Sequence, residues 1–140
     1  MPSKQRPNAR QAGFTLLEML AVIVLLGIVA TIVVRQVGGN VDKGKYGAGK
    51  AQLASLSMKV ESYALDVGAP PSNLEQLLNK PANASRWAGP YAKPSDLVDP
   101  FGHAFAYHSP GSHGSFDLIF LGQDGASGGE GYKADVGNWE

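Results

Sequence analysis

The sequence predicts an α+β protein: one long N-terminal α-helix, transmembrane in its first half and amphipathic in its second, packed on a small antiparallel β-sheet. Three observations predict it. Residues 14–34 form an apolar run that carries a single charge, Glu18. Leu53, Leu56, Val60, Tyr63 and Val67 recur at intervals of three and four. Alternating segments at residues 104–107 and 116–120 flank a stretch of turn formers.

The apolar run is 21 residues long. At about 1.5 Å per residue such a helix spans roughly 30 Å, the hydrocarbon thickness of a bilayer. Lys4, Arg6 and Arg10 precede it. Basic residues on that side put residues 1–13 in the cytoplasm and the rest across the membrane. A secretory signal would instead have a shorter apolar core followed by small residues; here the small residue, Gly13, comes first. A carboxylate inside a membrane helix costs a few kcal/mol by insertion scales, so Glu18 needs a reason. Two readings stand side by side. Glu18 snorkels toward headgroups one turn away, or it awaits a positive partner. Cleavage between Gly13 and Phe14 would make such a partner, a new α-amino group able to pair with Glu18 of a neighbouring copy.

The stretch Gly13-Phe14-Thr15-Leu16-Leu17-Glu18 resembles the cleavage and methylation motif of type IV pilins and type II secretion pseudopilins. The resemblance implies that a prepilin peptidase cuts after Gly13 and N-methylates Phe14. It also implies that Glu18 pairs with the Phe14 amine of an adjacent subunit in a helical filament. Arg35 stands where these families often carry a helix-interrupting proline, with Gly38-Gly39 just beyond as an alternative loosening point.

Beyond Arg35 the chain turns polar, and the three–four spacing predicts an amphipathic helix over residues 41–67. Gly68-Ala69-Pro70-Pro71 ends it. Residues 44–50 fit G-x-x-x-x-G-K, but Ala51 follows where a Mg²⁺-binding hydroxyl is needed, and no strand precedes. These glycines read as a flexible stretch of the stem, not a nucleotide site. A short helix is expected over residues 73–78, with Ser72 as N-cap and Glu75 completing a capping box. Turn chemistry with buried aromatics follows, through Trp87, Tyr91 and Phe101. The two alternating segments then predict a β-hairpin around residues 109–114.

Residues 121–135 include five glycines and few apolar side chains. Such a segment has little reason to order itself. Either it is a solvated loop, or its oxygens order around a hard cation. Calcium takes six to eight oxygen ligands and accepts irregular geometry. Asp124 and Asp135 lie at the ends of a twelve-residue window with Gly129 sixth, as in an EF-hand, but Ala126 and Gly128 stand where that loop needs oxygens.

Asp99-Pro100-Phe101-Gly102, residues 111–118, Leu121-Gly122-Gln123-Asp124-Gly125 and Ala134-Asp135-Val136-Gly137-Asn138-Trp139 closely resemble the C-terminal half of the type II secretion system major pseudopilins (general secretion pathway protein G type). The resemblance implies a pilin-like fold and a Ca²⁺-binding C-terminal loop. Carried over, Asp124 and Asp135 supply side-chain oxygens and Leu121 a backbone carbonyl. Ser127 and Glu130 are further candidates in a stretch where family members vary. Trp139 is expected to anchor the tail on the core. Phe101 replaces the usual Trp, and His103-Ala104 the common Asn-Pro.

The totals fit a modest single domain with an appendage. Basic and acidic side chains balance at 12 each in 140 residues, which argues against nucleic acid. No cysteine is present, so a metal would be the available staple for an exported domain. His103, His108 and His113 are spaced too loosely for a helical metal pair. No nucleophile elbow or thiol offers catalysis. The expected organisation is a cleaved leader at 1–13, a transmembrane and filament-core helix at 14–35, and a periplasmic domain at 36–140. The expected function is that of a major pseudopilin, a structural subunit polymerising into the periplasmic pseudopilus that drives export of folded proteins across the outer membrane. The implied partners are further copies of the chain, minor pseudopilins, an inner-membrane assembly platform, the prepilin peptidase, and membrane lipid before assembly. The implied location is the bacterial inner membrane, single-pass. Two rivals are a type IV pilin of a surface fibre and a single-span anchored binding domain that never polymerises. A missing disulfide weighs against the first, and Glu18 beside Gly13 against the second.

Overall fold

The computed structural model describes residues 12–140; Lys4, Arg6 and Arg10 of the expected leader lie outside them. One helix, α1 (Leu16–Val67), runs for 52 residues. It is unbroken at Arg35 and at Gly38-Gly39, so the expected loosening point is helical. The chain nevertheless divides into two compact units, the first ending at Gly38 and the second covering Gly39–Glu140.

In the first unit the side chains of α1 from Leu16 to Val37 are exposed on every face. From Met19 to Val34 it carries no charge and has no polar side to give water, and the helix is long and apolar enough to cross a membrane.

In the second unit α1 lies against a three-stranded antiparallel sheet of order β1-β2-β3, with β1 Ala106–His108, β2 Asp117–Phe120 and β3 Val136–Gly137. Ala106 pairs with Ile119, and Phe120 with Val136. The core is where the predicted stripe places it. Leu53, Leu56, Val60 and Tyr63 are buried against Leu77, Phe116, Leu118 and Phe120, with Val67 packed on the edge. The hairpin loop falls where expected, although β1 begins at Ala106, two residues later than the alternation suggested. Ala104 instead makes a lone bridge to Val98. The third strand, β3, is too short for its alternation to show in sequence.

Two local expectations are corrected. Residues 44–49 are helix, not a flexible stretch, and Gly49 is buried. The absence of a side chain there lets the Phe120 ring approach the helix backbone. At residues 73–78 the helix is a single 3₁₀ turn, Leu74–Leu77, whose N-cap is Asn73 and has no side-chain cap. Ser72 and Glu75 form no capping box. Gln76, one residue later, bonds to Ser72 instead: its Oε1 accepts from Ser72 N at 3.1 Å and its Nε2 donates to Ser72 Oγ at 2.7 Å. The same Oε1 accepts from Tyr63 OH at 3.2 Å, tying the turn to α1. The aromatics of the middle segment, expected to be buried, pack against the core but stay partly exposed. Trp87 Nε1 donates to Gln76 O at 2.9 Å, Tyr91 OH donates to Asp66 Oδ2 at 2.7 Å, and Phe101 stacks on Phe120.

Candidate functional site

Gly13 and Phe14 precede α1 outside any helix or strand, and both are exposed. A Cβ on Gly13 would meet nothing within 4 Å, so the peptide bond after it is open on that side. Thr15 and Glu18 then form a capping box. Thr15 N donates to Glu18 Oε2 at 2.9 Å, and Glu18 N donates to Thr15 Oγ1 at 3.2 Å. Two of the backbone donors that a helix start leaves unpaired are satisfied reciprocally. Glu18 therefore has a partner inside one chain, a role the sequence reading missed although T-x-x-E is visible in it. The Thr15 amide exists before and after a cut at Gly13, so the box is compatible with both forms.

The second region is the loop over residues 121–135. Gln123 N donates to Tyr132 O at 2.8 Å, closing it. Within it, Asp124 Oδ1 accepts from Ala126 N at 3.2 Å, and Asp135 Oδ2 accepts from Gly128 N at 2.8 Å. The latter bond brings Asp135 onto the turn that follows Asp124. The other oxygen, Asp135 Oδ1, is buried and has no hydrogen-bond partner. A buried carboxylate oxygen without a donor is costly unless a cation or water meets it. Leu121 is half-buried at the end of β2, while Ser127 and Glu130 are exposed. Among the described residues no three His, Cys, Asp or Glu side chains converge. An ion held here would draw on backbone carbonyls as well as Asp124 and Asp135, as a hard cation does.

The loop is supported from outside itself by residues that sequence reasoning did not single out. Gln123 Nε2 donates to Asp42 Oδ2 on α1 at 3.0 Å. Tyr46 OH donates to Ala134 O at 3.0 Å. Burial raises the Tyr46 hydroxyl above its ordinary pKa, with the Glu140 and Asp135 charges adding to the effect, so it remains a donor. The His103 ring lies where a Cβ on Gly125 would be, and Gly125 adopts φ +64°; on both counts only glycine fits. His103 is placed by the Asp99 turn, whose Oδ1 accepts from Phe101 N at 2.8 Å and His103 N at 3.0 Å. The apolar stripe of α1, extended backward through Gly49, Tyr46 and Asp42, keeps its three–four spacing, and that was the available signal.

The tail closes differently from expectation. Trp139 is 41% exposed and stacks on the His113 ring, centroids 3.7 Å apart, at the surface. Asn138 is the anchor instead: its Oδ1 accepts from Leu118 N at 2.9 Å, and its backbone N donates to Leu118 O at 2.9 Å. His113 Nδ1 also lies 3.1 Å from Asp117 Oδ2, and His108 is exposed at the end of β1.

A capped apolar helix behind a Gly-Phe junction, leading into a helix-on-sheet domain, defines the pilin-like class of helix-anchored subunits. Residues 8–34 match the prokaryotic N-terminal methylation motif. Residues 36–139 match type II secretion system (T2SS) protein G, and the chain belongs to that family. It is 48% identical over 129 residues to the type II secretion system core protein G of Xanthomonas campestris pv. campestris, covering 92% of this chain and 90% of that one. The core protein G of Pseudomonas aeruginosa is 39% identical over 137 residues, covering 94% and 96%. Among solved structures, the major pseudopilin from the type 2 secretion system of enterohaemorrhagic Escherichia coli superposes with TM-score 0.58 at 26% identity. That match covers 72% of this chain and 91% of that one.

Proposed function

We propose that this chain is a major pseudopilin: a structural subunit, anchored by residues 14–35 in the inner membrane and carrying its domain in the periplasm, that polymerises into the type II secretion pseudopilus. Its work is mechanical, with minor pseudopilins and an inner-membrane platform as assembly partners. The observation that carries the reading is the Thr15–Glu18 capping box directly behind Gly13-Phe14, on a chain of the protein G family. A prepilin peptidase cuts after Gly13 and methylates Phe14. Glu18, while capping its own helix, meets the Phe14 amine of the next copy.

The test uses protein from native membranes. Its intact mass should correspond to a chain starting at methylated Phe14. Glu18→Gln retains a capping side chain and removes the charge; Glu18→Ala removes both. Both variants should be cleaved normally and lose the ladder of cross-linked multimers. A ladder that survives Glu18→Gln would overturn the charge-pairing role, and a chain retaining Met1 would overturn processing.

The loop over residues 121–135 takes a calcium ion. What supports this is the orphaned, buried Asp135 Oδ1 in a glycine-rich loop without a disulfide. Asp124, Asp135 and the Leu121 carbonyl would hold the ion, with Ser127 and Glu130 as further oxygens. The ion would supply the cross-link that the composition lacks.

A further inference from the structure

Asp42 and Tyr46 stand four residues apart on α1, one turn along the same helix face. Each sends or receives one hydrogen bond at the distal loop, and both bonds land beside a candidate ligand. Asp42 holds the side chain of Gln123, the neighbour of Asp124. Tyr46 holds the carbonyl of Ala134, the neighbour of Asp135. We propose that this pair forms a clamp that sets the separation of the two carboxylates before any ion arrives, making Asp42 and Tyr46 positioning residues for the cation loop. The proposal rests on the calcium reading of residues 121–135.

Three physical effects favour such a clamp. A loop with so many glycines loses much conformational freedom when an ion orders it, and any freedom already removed no longer opposes binding. Two carboxylates that are to share one ion repel each other until it arrives, so something other than the ion must hold the strands of the loop in place. The helix can do so because it is rigid at this point: the Tyr46 ring packs 5.4 Å from that of Phe120 and 5.8 Å from that of Tyr132. Tyr132 is itself in the loop and supplies the carbonyl that closes it. Tyr46 thus touches the core on one side and the loop on the other. Neither residue is a ligand; each acts through the residue next to one.

The test is calcium titration calorimetry on the full chain in detergent, paired with amide hydrogen exchange of residues 121–135 in chelator. Tyr46→Phe keeps the ring and deletes one hydrogen bond. It should weaken calcium binding by about two- to tenfold, the span of one such bond, and speed loop exchange in chelator. Asp42→Ala should do the same. Asp42→Asn keeps an acceptor for Gln123 while removing the charge, and should restore affinity and protection toward wild type. Wild type that binds while both Tyr46→Phe and Asp42→Ala bind as tightly overturns the clamp alone. An Asp42→Asn as weak as Asp42→Ala means long-range charge, not position, and also overturns it. Weaker binding with unchanged exchange in chelator overturns the claim of prior ordering. A wild-type chain that takes up no calcium overturns the calcium reading and the positioning role with it.

Discussion

The ring of Phe120 occupies the space a side chain at Gly49 would fill, with its Cε2 2.7 Å from where that Cβ would stand. An exposed helical glycine replaced by alanine ordinarily gains up to about 1 kcal/mol. Gly49→Ala should instead destabilise the protein by about 1–3 kcal/mol, the usual range for an overpacked core. Gly44 and Gly47, on the same helix with nothing within 4 Å, should show the ordinary gain. Urea melts of the three alanine variants decide the matter; a stabilised Gly49→Ala would mean that the ring moves aside freely.

Calcium removal should lower the melting temperature. At a free concentration a hundredfold above its dissociation constant, an ion bound only by the folded state adds about 2.7 kcal/mol. For a domain near 100 residues each kcal/mol corresponds to roughly 4–8 °C. Asp124→Ala and Asp135→Ala should melt low even with calcium present and respond little to chelator. A wild-type melt that ignores chelator would mean that no ion holds the loop.

Asn138 should matter more than the larger Trp139 beside it. Truncating Asn138 to alanine strands the Leu118 amide, in a strand whose Leu118 side chain is fully buried, at a cost of about 1–3 kcal/mol. Trp139→Ala removes a surface stack, worth about 1 kcal/mol. Denaturant midpoints in the reverse order would show that the tail is held by its aromatic ring.

Acid should weaken the hairpin end of the sheet through Asp117. Burial acts to raise its carboxyl, but the Ser112 amide, the His113 ring and the His113 amide outweigh that and hold it below its ordinary value of 3.8. A carboxylate with a depressed folded pKa contributes its full stabilisation above the unfolded value and loses it as pH falls through the folded one. Stability followed by denaturant melts from about pH 6 to about pH 3 should therefore fall. Asp117→Asn should be less stable at neutral pH and show a shallower fall. An unchanged slope in the variant would assign the acid sensitivity elsewhere.

Much of this arrangement was legible because it obeys periodicity. The stripe from Leu53 to Val67 announced both the helix and its buried face, and the alternation at residues 116–120 announced β2. Those signals are local and repeat. What stayed hidden depended on partners distant in sequence. Gly49 reads as a flexible glycine until Phe120 is known to lie against it. Asp42 and Tyr46 have no visible task until the loop some 80 positions later folds onto them. Two-residue β3 carries too few residues to alternate. At residues 72–76 the signal was present but misassigned: Glu75 fits the capping-box spacing, yet a 3₁₀ turn shifts the geometry so that Gln76 reaches Ser72.

The lengths of the strands have a consequence of their own. Where copies of a chain are held side by side, the local concentration is such that any open sheet edge invites pairing with its neighbour's. Here the two edges are only three and two residues long, β1 and β3, and β1 ends at a loop while β3 runs straight into the Asn138 anchor. Such short rims offer few free amides and carbonyls to another chain. Copies crowded side by side are thereby steered away from fusing sheet to sheet into an inert cross-β aggregate.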